Sequence, residues 1–163
     1  MVLYQMFKDK YVCSSLVNKQ WYIFKHHRWE QDKGMTLRLA ISKDMFNEYQ
    51  KKQQQYMLEL PKYDENDEKG KEIQGKIKKI ANVSIMLKKT SDKNNIIREA
   101  MELFYDNEFI KNMDANKYLM CFTNGVIDFK KKVFREGYPQ DYITKTTNIP
   151  YVALDEHRHK NTM

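Results

Sequence analysis

Cysteine is scarce in this chain of 163 residues, with only Cys13 and Cys121 present. The two lie far apart, and neither has another cysteine or a histidine at metal-binding spacing. The histidines group only at His26-His27 and in the tail 156–159, with no third ligand identifiable. These patterns exclude a disulfide framework and predict no metal site. They indicate a reducing compartment, so we predict an intracellular protein that is not secreted.

Long apolar runs are absent as well. No stretch approaches the roughly 18 to 20 consecutive apolar residues that a helix needs to cross a bilayer. The first residues lack the continuous apolar core of a secretion signal. The sequence therefore predicts no membrane span and no membrane partner.

Glycine is rare, at five residues, and one short segment nearly matches the glycine-rich phosphate-binding loop. It runs from Gly70 to Ile77 and carries Lys76 where that loop has its lysine. The loop needs a Ser or Thr after the lysine to hold magnesium, but Ile77 stands there. Because Ile73 and Ile77 continue a helical stripe, we expect a helix and no nucleotide site in this segment.

Acidic residues are not paired in the way that two-metal catalysis requires. A two-metal site needs carboxylates that project together to bind two divalent metals. The acidic run 64–68 lies in a hydrophilic connection, where a charge run is usually solvated. Asp128 and Asp141 are expected to cap turns by accepting hydrogen bonds from nearby amides. We predict no catalytic residue and no cofactor in this chain.

The residues that are plentiful indicate a folded, basic protein. Apolar residues make up 41% of the chain and aromatic residues 13%, enough to build a hydrophobic core. The net charge of +7 favours a polyanionic partner, because cations placed near phosphates release the counterions condensed on nucleic acid. The same charge also promotes solubility, so composition leaves both interpretations open.

Aromatic and β-branched residues dominate the segment 10–32. They form three runs separated by polar turns at Val17–Gln20 and at His26-His27, a pattern that predicts a three-stranded meander. Trp21 and Trp29 lie in these runs. A base-stacking platform is one interpretation, but tryptophans on a meander more often anchor it against a helix, so we assign both to the core.

Helical periodicity replaces this pattern after Gly34. A first stripe consists of Leu37, Ile41, Met45 and Tyr49, in a helix that Pro61 ends. A second stripe consists of Ile73, Ile77, Ile80, Ser84 and Leu87. A third consists of Ile97, Ala100, Met101 and Phe104, in a helix capped by Ser91 or Asp92. The segment 62–71 is expected to be a solvated connection between helices.

The last third of the chain predicts two hairpins. Residues 118–122 form an apolar, aromatic strand, Asn124-Gly125 accepts the positive φ of a primed turn, and residues 126–129 return. Lys130–Lys132 forms the polar tip of the second hairpin before the strand Val133–Arg135. After a break at 137–139, residues 141–147 are predicted to form a further β-branched strand.

This order of elements predicts an α+β fold. Its parts are a small N-terminal β-meander at 1–34, a helical middle at 35–113, C-terminal β-hairpins at 114–151 and a flexible tail at 152–163. Isolated hairpins are marginal on their own. We therefore predict a single domain, 1–163, in which the hairpins at both ends pack on the helical middle.

Positive charge and tyrosines concentrate around the second hairpin. Cations there can pair with phosphates while tyrosine rings stack on unpaired bases. The candidate nucleic-acid-binding residues are Lys130, Lys131, Lys132, Arg135, Tyr138, Tyr142 and Lys145. A second interpretation stays open, because lysines at hairpin tips also block edge-to-edge association, and alternating aromatic residues in a hairpin also pack on a core.

Several spaced elements of this region occur in a characteristic order. They are Asp114, Asn116, Asn124, Gly125, Asp128, Pro139, Asp141 and Thr144. In this order the chain resembles the module just before the ATPase in the poxvirus-type primase-helicases of large DNA viruses, and in related phage and plasmid primases. The resemblance is strongest over Thr90–Tyr151. Before that, it extends only to the order of aromatic strands followed by helices.

The resemblance implies a role. In that family the module joins an N-terminal primase to a C-terminal superfamily 3 helicase of the AAA+ type, a hexameric ring that uses ATP and Mg²⁺ on DNA. The chain would then be a non-catalytic collar with neither the priming site nor the ATP site. Its implied partners are DNA, neighbouring copies and the primase and helicase domains, in the host cytoplasm or at a viral replication site. Two alternatives stay open: a stand-alone single-stranded nucleic-acid-binding protein, and a protein-interaction module without DNA contact.

Overall fold

A computed structural model of the chain describes residues 2–64 and 67–153. The first elements are a short helix, α1 (Val2–Phe7), and three strands, β1 (Tyr11–Ser15), β2 (Gln20–Lys25) and β3 (Arg28–Asp32). The strands follow the order β1-β2-β3 in one sheet, so the meander is confirmed. The sequence pattern did not predict α1, because one buried pair at i and i+4, Leu3 and Phe7, is too short a stripe to indicate a helix.

Helices fill the middle of the chain, as predicted. They are α2 (Met35–Ala40), α3 (Phe46–Glu59), α4 (Glu68–Lys88), α5 (Thr90–Leu103) and α6 (Phe109–Asn112). A π turn at Ile41–Met45 joins α2 to α3, and Pro61 lies in the 3-10 turn Leu60–Lys62 that follows α3. None of the described helices is both long enough and apolar enough to cross a membrane.

Two predicted helix boundaries are wrong. The helix α5 begins at Thr90 and has no side-chain cap, so neither Ser91 nor Asp92 caps it. Asp92 instead lies in the first turn, where a carboxylate interacts favourably with the helix dipole. The connection predicted at 62–71 is shorter than expected, because α4 already begins at Glu68. There Asp67 Oδ1 accepts a hydrogen bond from the Lys69 amide at 3.0 Å.

The last third forms a second antiparallel sheet. Its strands are β4 (Leu119–Phe122), β5 (Gly125–Asp128) and β6 (Val133–Arg135), in the order β4-β5-β6. Phe122 pairs with Gly125, and Asp128 pairs with Val133. The two predicted hairpins are therefore confirmed, and with the meander and the helical middle they give the predicted α+β fold.

The predicted primed turn at Asn124-Gly125 is wrong. The loop residues are Thr123 and Asn124, Asn124 does not have a positive φ, and Gly125 is already the first residue of β5. Gly125 is needed there for close packing. A Cβ at this position would lie 2.5 Å from Phe134 Cζ and 2.7 Å from the Arg135 carbonyl oxygen.

The strand predicted at 141–147 is also wrong. Pro139–Asp141 forms a 3-10 turn, and Tyr142 follows with φ 53°, a left-handed conformation that interrupts an extended strand. The segment's backbone then bonds to separate partners instead of to one strand. The Ile143 carbonyl accepts from the Trp29 amide at 2.7 Å, and the Thr147 amide donates to the Cys121 carbonyl at 3.0 Å.

The described residues divide into two compact units. The first unit contains the chain up to Tyr22 and Asp32–Asp106, and the second contains Ile23–Gln31 and the chain from Asn107 onward. Each unit has an aromatic core. Trp21 lies in the first, 1% exposed, and Trp29 in the second, 5% exposed, so both tryptophans occupy the core as predicted. The single-domain organisation stays a prediction.

Candidate nucleic-acid interface

The tip of the hairpin between β5 and β6 carries three consecutive lysines. Asp128 Oδ1 accepts a hydrogen bond from the Lys131 amide at 3.0 Å, and Lys132 adopts the left-handed conformation with φ 56°. This local geometry turns the chain in four residues and leaves Lys130, Lys131 and Lys132 exposed. Within the described chain, no carboxylate lies at ion-pair distance from any of the three.

Arg135, at the base of the same hairpin, is in the opposite situation. Its Nη1 and Nη2 donate to the two carboxylate oxygens of Asp141 at 2.7 and 2.8 Å, and Nη2 lies 3.8 Å from Asp128 Oδ2. The hydrogen bonds to Asp141 raise the pKa of Arg135. The side chain is only 20% exposed, so this bidentate pair has the geometry of a structural clamp. The structure thus gives Arg135 a structural role, and its DNA contact stays a prediction.

The two candidate tyrosines differ in a similar way. Tyr138 is 50% exposed, and the Arg135 guanidinium lies 5.1 Å from its ring centroid. Tyr142 is half-buried, and its ring centroid lies 5.9 Å from that of the buried Phe109. Tyr138 therefore offers a ring face suited to stacking, while Tyr142 contributes to the core of the second unit.

A cavity of about 350 Å³ lies in the second unit beside β4. The exposed Lys117 and Lys145 line it together with Asp114, Asn116 and Asp141. Two of its carboxylates are already bound. Asp114 accepts from both the amide and the hydroxyl of Thr144, and Asp141 holds Arg135. The free polar groups at this cavity are thus mainly the two lysines.

Several residues that carry the family resemblance hold the second unit together. Asn116 Oδ1 accepts from the Tyr118 amide at 3.1 Å. The Asn124 side chain makes two hydrogen bonds to the backbone of Tyr151, at 2.8 and 3.0 Å. The Pro139 carbonyl accepts from the Trp29 indole at 2.8 Å. Asp128 and Asp141 cap turns, as expected. Asp128 Oδ1 accepts from the Lys131 amide at 3.0 Å, and Asp141 Oδ2 accepts from the Tyr138 amide at 2.8 Å.

A protein-family profile described as "D5 N terminal like" matches residues 1–161. The chain belongs to the D5 N terminal like family. A provisionally named helicase of Acanthamoeba polyphaga mimivirus is 36% identical over 159 residues, which are 95% of this chain and 16% of that protein. A provisionally named helicase of Frog virus 3 is 33% identical over 78 residues, 48% of this chain and 8% of that protein. One of Invertebrate iridescent virus 6 is 56% identical over 39 residues, 24% of this chain and 4% of that protein.

This member of the D5 N terminal like family thus spans a small part of the viral proteins that it resembles. Its near-match to a phosphate-binding loop, Gly70–Ile77, lies inside the helix α4. Lys76 Nζ is 2.6 Å from Glu72 Oε1, one helical turn earlier. The helix predicted for this segment is therefore confirmed. Amides inside a helix already donate to carbonyls of the preceding turn, so they form no cradle for a phosphate.

Metal ligands do not cluster in the described part of this family member. Residues 2–64 and 67–153 contain no group of three or more His, Cys, Asp or Glu side chains that could hold an ion. His27 Nδ1 accepts a hydrogen bond from the Gly137 amide at 3.2 Å, and the exposed His26 lies 3.5 Å from Glu30. The histidine tail 156–159 lies outside the described residues.

Sequence reasoning missed an apolar row on the second sheet. Met120, Ile127 and Phe134 are cross-strand neighbours in register, and Met120 and Phe134 remain 42% and 40% exposed. The strands were predicted, but the register that aligns these residues depends on the loop lengths. A correct assignment of both loops, Thr123-Asn124 and 129–132, would have revealed the row.

Proposed function

We propose that this chain is the non-catalytic module of a viral DNA replicative primase-helicase. In this proposal it precedes an ATP-dependent superfamily 3 helicase domain, supports ring assembly and guides DNA passage. The observation that carries the DNA contact is the hairpin tip, where three adjacent lysines are exposed and have no carboxylate partner in residues 2–64 and 67–153. Family membership and the relatives' provisional helicase names support the wider role.

The hairpin suits single-stranded DNA because its charge and its rings serve different parts of a strand. Lysine ammonium groups attract phosphates without reading sequence. Tyr138 and Phe134 are exposed near the base of the hairpin and can stack on unpaired bases. The clamp of Arg135 on Asp141 fastens β6 to the 3-10 turn Pro139–Asp141, while the lysine side chains stay exposed. Lys145 adds a further exposed cation in the same unit.

The test is the salt dependence of binding to an oligothymidine, measured by fluorescence anisotropy. Changing Lys130, Lys131 and Lys132 together to Gln removes three phosphate contacts. We expect the slope of log affinity against log salt to become shallower by about 2, since each contact to a single strand contributes roughly 0.7. Affinity at low salt should fall with it.

The control replaces Lys71, Lys78 and Lys79 of α4 with Gln. These lysines are exposed, and the net charge of the chain changes by the same amount. This variant should keep most of the wild-type slope. Equal slopes for wild type and the hairpin variant, or equal losses in the two variants, would remove the hairpin from the proposal.

The non-catalytic part of the proposal is tested separately. Lys76 is paired with Glu72 on a continuous helix, so the isolated chain should not hydrolyse ATP. Since the described residues hold no cluster of metal ligands, it should not extend a primer either. ATP turnover that disappears in a Lys76→Ala variant would contradict this expectation.

A specific observation favours a second candidate, a protein-interaction surface. The row of Met120, Ile127 and Phe134 forms an apolar strip on the sheet, and Phe129 and Val133 beside it are 49% and 44% exposed. Exposed apolar strips are common at protein interfaces. If the adjoining helicase domain docks here, Met120→Lys should weaken its binding and leave the salt slope for DNA unchanged.

A further inference from the structure

The first unit contains a second basic site, formed by residues that are distant in sequence. It is a cavity of about 470 Å³ that lies against α2, α5 and the first residues of β2. Its polar lining consists of Lys19, Lys33, Arg38, Arg98 and Asn94. No carboxylate of the described part of the chain lines it. A cavity of this size suits a small organic ligand, and its charge selects an anionic one.

No described carboxylate compensates the positive charge in this cavity. Within residues 2–64 and 67–153, none of its four cations makes an ion pair. Arg38 donates one hydrogen bond to Asn94 Oδ1, a neutral acceptor that leaves its charge unbalanced. The nearby carboxylate of Asp32 is engaged elsewhere, because its Oδ2 accepts from the hydroxyl and the amide of Thr36 at 2.7 and 3.3 Å.

The wall of the cavity is apolar and includes one unused donor. Trp21, Ile97 and Met101 line it. Trp21 is 1% exposed, and its indole N–H has no acceptor among the described residues. Since no fully buried side-chain nitrogen of those residues lacks a partner, this N–H keeps some access to solvent. The Cδ1–Nε1 edge of the indole lies beneath Gly34, where a Cβ would come within 3.3 and 3.4 Å of those atoms. Gly34 has φ 75°, so both its conformation and the space favour glycine.

We propose that this cavity binds a nucleotide. Phosphates would pair with the lysine and arginine side chains, and the base would lie against the apolar wall with an acceptor directed at the Trp21 indole N–H. A free nucleotide and one nucleotide within single-stranded DNA present the same phosphate and base groups. An inorganic polyphosphate would satisfy the cations alone and leave the wall and the indole unused. The proposal does not depend on the hairpin contact described above.

The test follows the two tryptophan indole peaks in the ¹H–¹⁵N spectrum of the full chain. Trp29 serves as an internal reference, because its indole N–H already donates to the Pro139 carbonyl at 2.8 Å. A Trp21→Phe variant, which deletes one peak, assigns them. Titration with ATP, with a thymidine octamer and with inorganic tripolyphosphate separates the sources. We expect a saturable shift of the Trp21 peak, with a smaller change at Trp29.

The three titrations have distinct meanings. A Trp21 shift with ATP alone assigns a free nucleotide, and a shift with the octamer alone assigns a unit of a strand. Both outcomes support the proposal. Tripolyphosphate that binds as tightly as ATP and the octamer overturns the nucleotide assignment, since the apolar wall then contributes nothing. A Trp21 peak that none of the three ligands moves, in a chain whose spectrum shows that it is folded, overturns the site.

Paired variants locate the binding. Lys33→Gln with Arg98→Gln should weaken the affinity on the order of tenfold or more, since two charge-assisted contacts are lost. Both side chains are exposed, so the fold should be unaffected. Lys78→Gln with Lys79→Gln on α4 is the control with the same charge change, and it should retain the wild-type affinity. Equal weakening in both variants would contradict a local site.

Discussion

The two basic sites of this chain are assembled in different ways. At the hairpin tip of the second unit, Lys130–Lys132 are consecutive and exposed, and no carboxylate of the described residues pairs with their side chains. In the cavity of the first unit, Lys19, Lys33, Arg38 and Arg98 come from separate segments and surround an apolar wall. Consecutive exposed cations can attract any phosphate backbone, whereas cations gathered around a cavity can select a ligand of one size and shape.

The same contrast exists within the hairpin. Lys131 and Arg135 are four residues apart, but among the described residues Arg135 pairs with carboxylates, those of Asp141 and Asp128, and Lys131 does not. A cationic side chain can therefore stabilise the fold or bind a ligand, and the presence of a carboxylate partner distinguishes the two roles. Cations with carboxylate partners should affect stability, and cations without them should affect binding.

The largest effect is expected from Gly125→Ala, which breaks the hairpin that presents the lysines. The added Cβ would lie 2.7 Å from the Arg135 carbonyl oxygen, a backbone atom that cannot move away alone. We expect a loss of about 3 kcal/mol in the free energy of unfolding, measured with urea. Gly75→Ala is the control, because its Cβ position in α4 has no described atom within 4 Å apart from its chain neighbours and the backbone of the helix itself. It should be neutral or stabilising by up to roughly 1 kcal/mol.

A smaller loss of stability is expected from Arg135→Ala, which sharpens the contrast with Lys131. It leaves the carboxylates of Asp141 and Asp128, 11% and 9% exposed, without their cation. The cost should be about 2 kcal/mol in the same urea experiment. Lys131→Ala should cost less than roughly 0.5 kcal/mol. Equal costs for the two variants would mean that the ion pair contributes little.

The pH dependence of stability tests another compensated cluster of the second unit. Glu30 lies 2.9 Å from Lys25 and 3.1 Å from Arg28. Burial opposes ionisation of Glu30, but hydrogen bonds from these cations outweigh it and lower the pKa below the ordinary 4.5. A lowered folded-state pKa stabilises the protein above pH 4.5, and that contribution is lost as the pH falls through the folded-state pKa.

Glu30→Gln should therefore cost on the order of 1 kcal/mol near pH 7 and progressively less in acid. Urea unfolding at a series of pH values measures this difference. Glu48→Gln on α3 is the control, because Glu48 pairs with Lys51 on an exposed helix surface. A pH-independent cost of Glu30→Gln would show that the carboxylate charge does not matter.

The smallest difference is expected between the urea midpoints at which the two cysteines, one in each unit, become reactive. Cys13 and Cys121 are both buried, and burial raises the pKa of each thiol, so native protein should react slowly with thiol reagents. Pulsed labelling in increasing urea, with mass spectrometry of the two peptides, follows each unit without mutation. A single cooperative domain predicts coincident midpoints. Separated midpoints would show that the units unfold independently.

The elements of the fold could be predicted because their signals are local. Most members of the first two predicted stripes are buried where helical spacing places them, and the remaining members, Tyr49, Ile77 and Ile80, are half-buried. The strand predicted at 141–147 failed for a non-local reason. Alternating β-branched residues favour extension, but the Asp114 carboxylate binds the amide and hydroxyl of Thr144, and Tyr142 adopts a left-handed conformation.

The candidate sites, too, could be predicted only where their residues are neighbours in the sequence. The lysine tip is predictable because its three charges are neighbours in the sequence. The partner of Arg135 is six residues away across a 3-10 turn, and the cations of the first-unit cavity are separated by helices. No local pattern brings such residues together, because the chain path between them decides which side chains meet.

Photocrosslinking tests the hairpin contact most directly. An oligonucleotide that contains 5-iododeoxyuridine would be irradiated with the chain, and the modified residues identified by mass spectrometry. Exposed rings at Phe129, Phe134 and Tyr138 flank the lysine tip, so adducts are predicted within residues 129–138 and should be lost when Lys130–Lys132 are changed to Gln. Efficient adducts elsewhere on the chain, with none in residues 129–138, would contradict the proposed DNA contact.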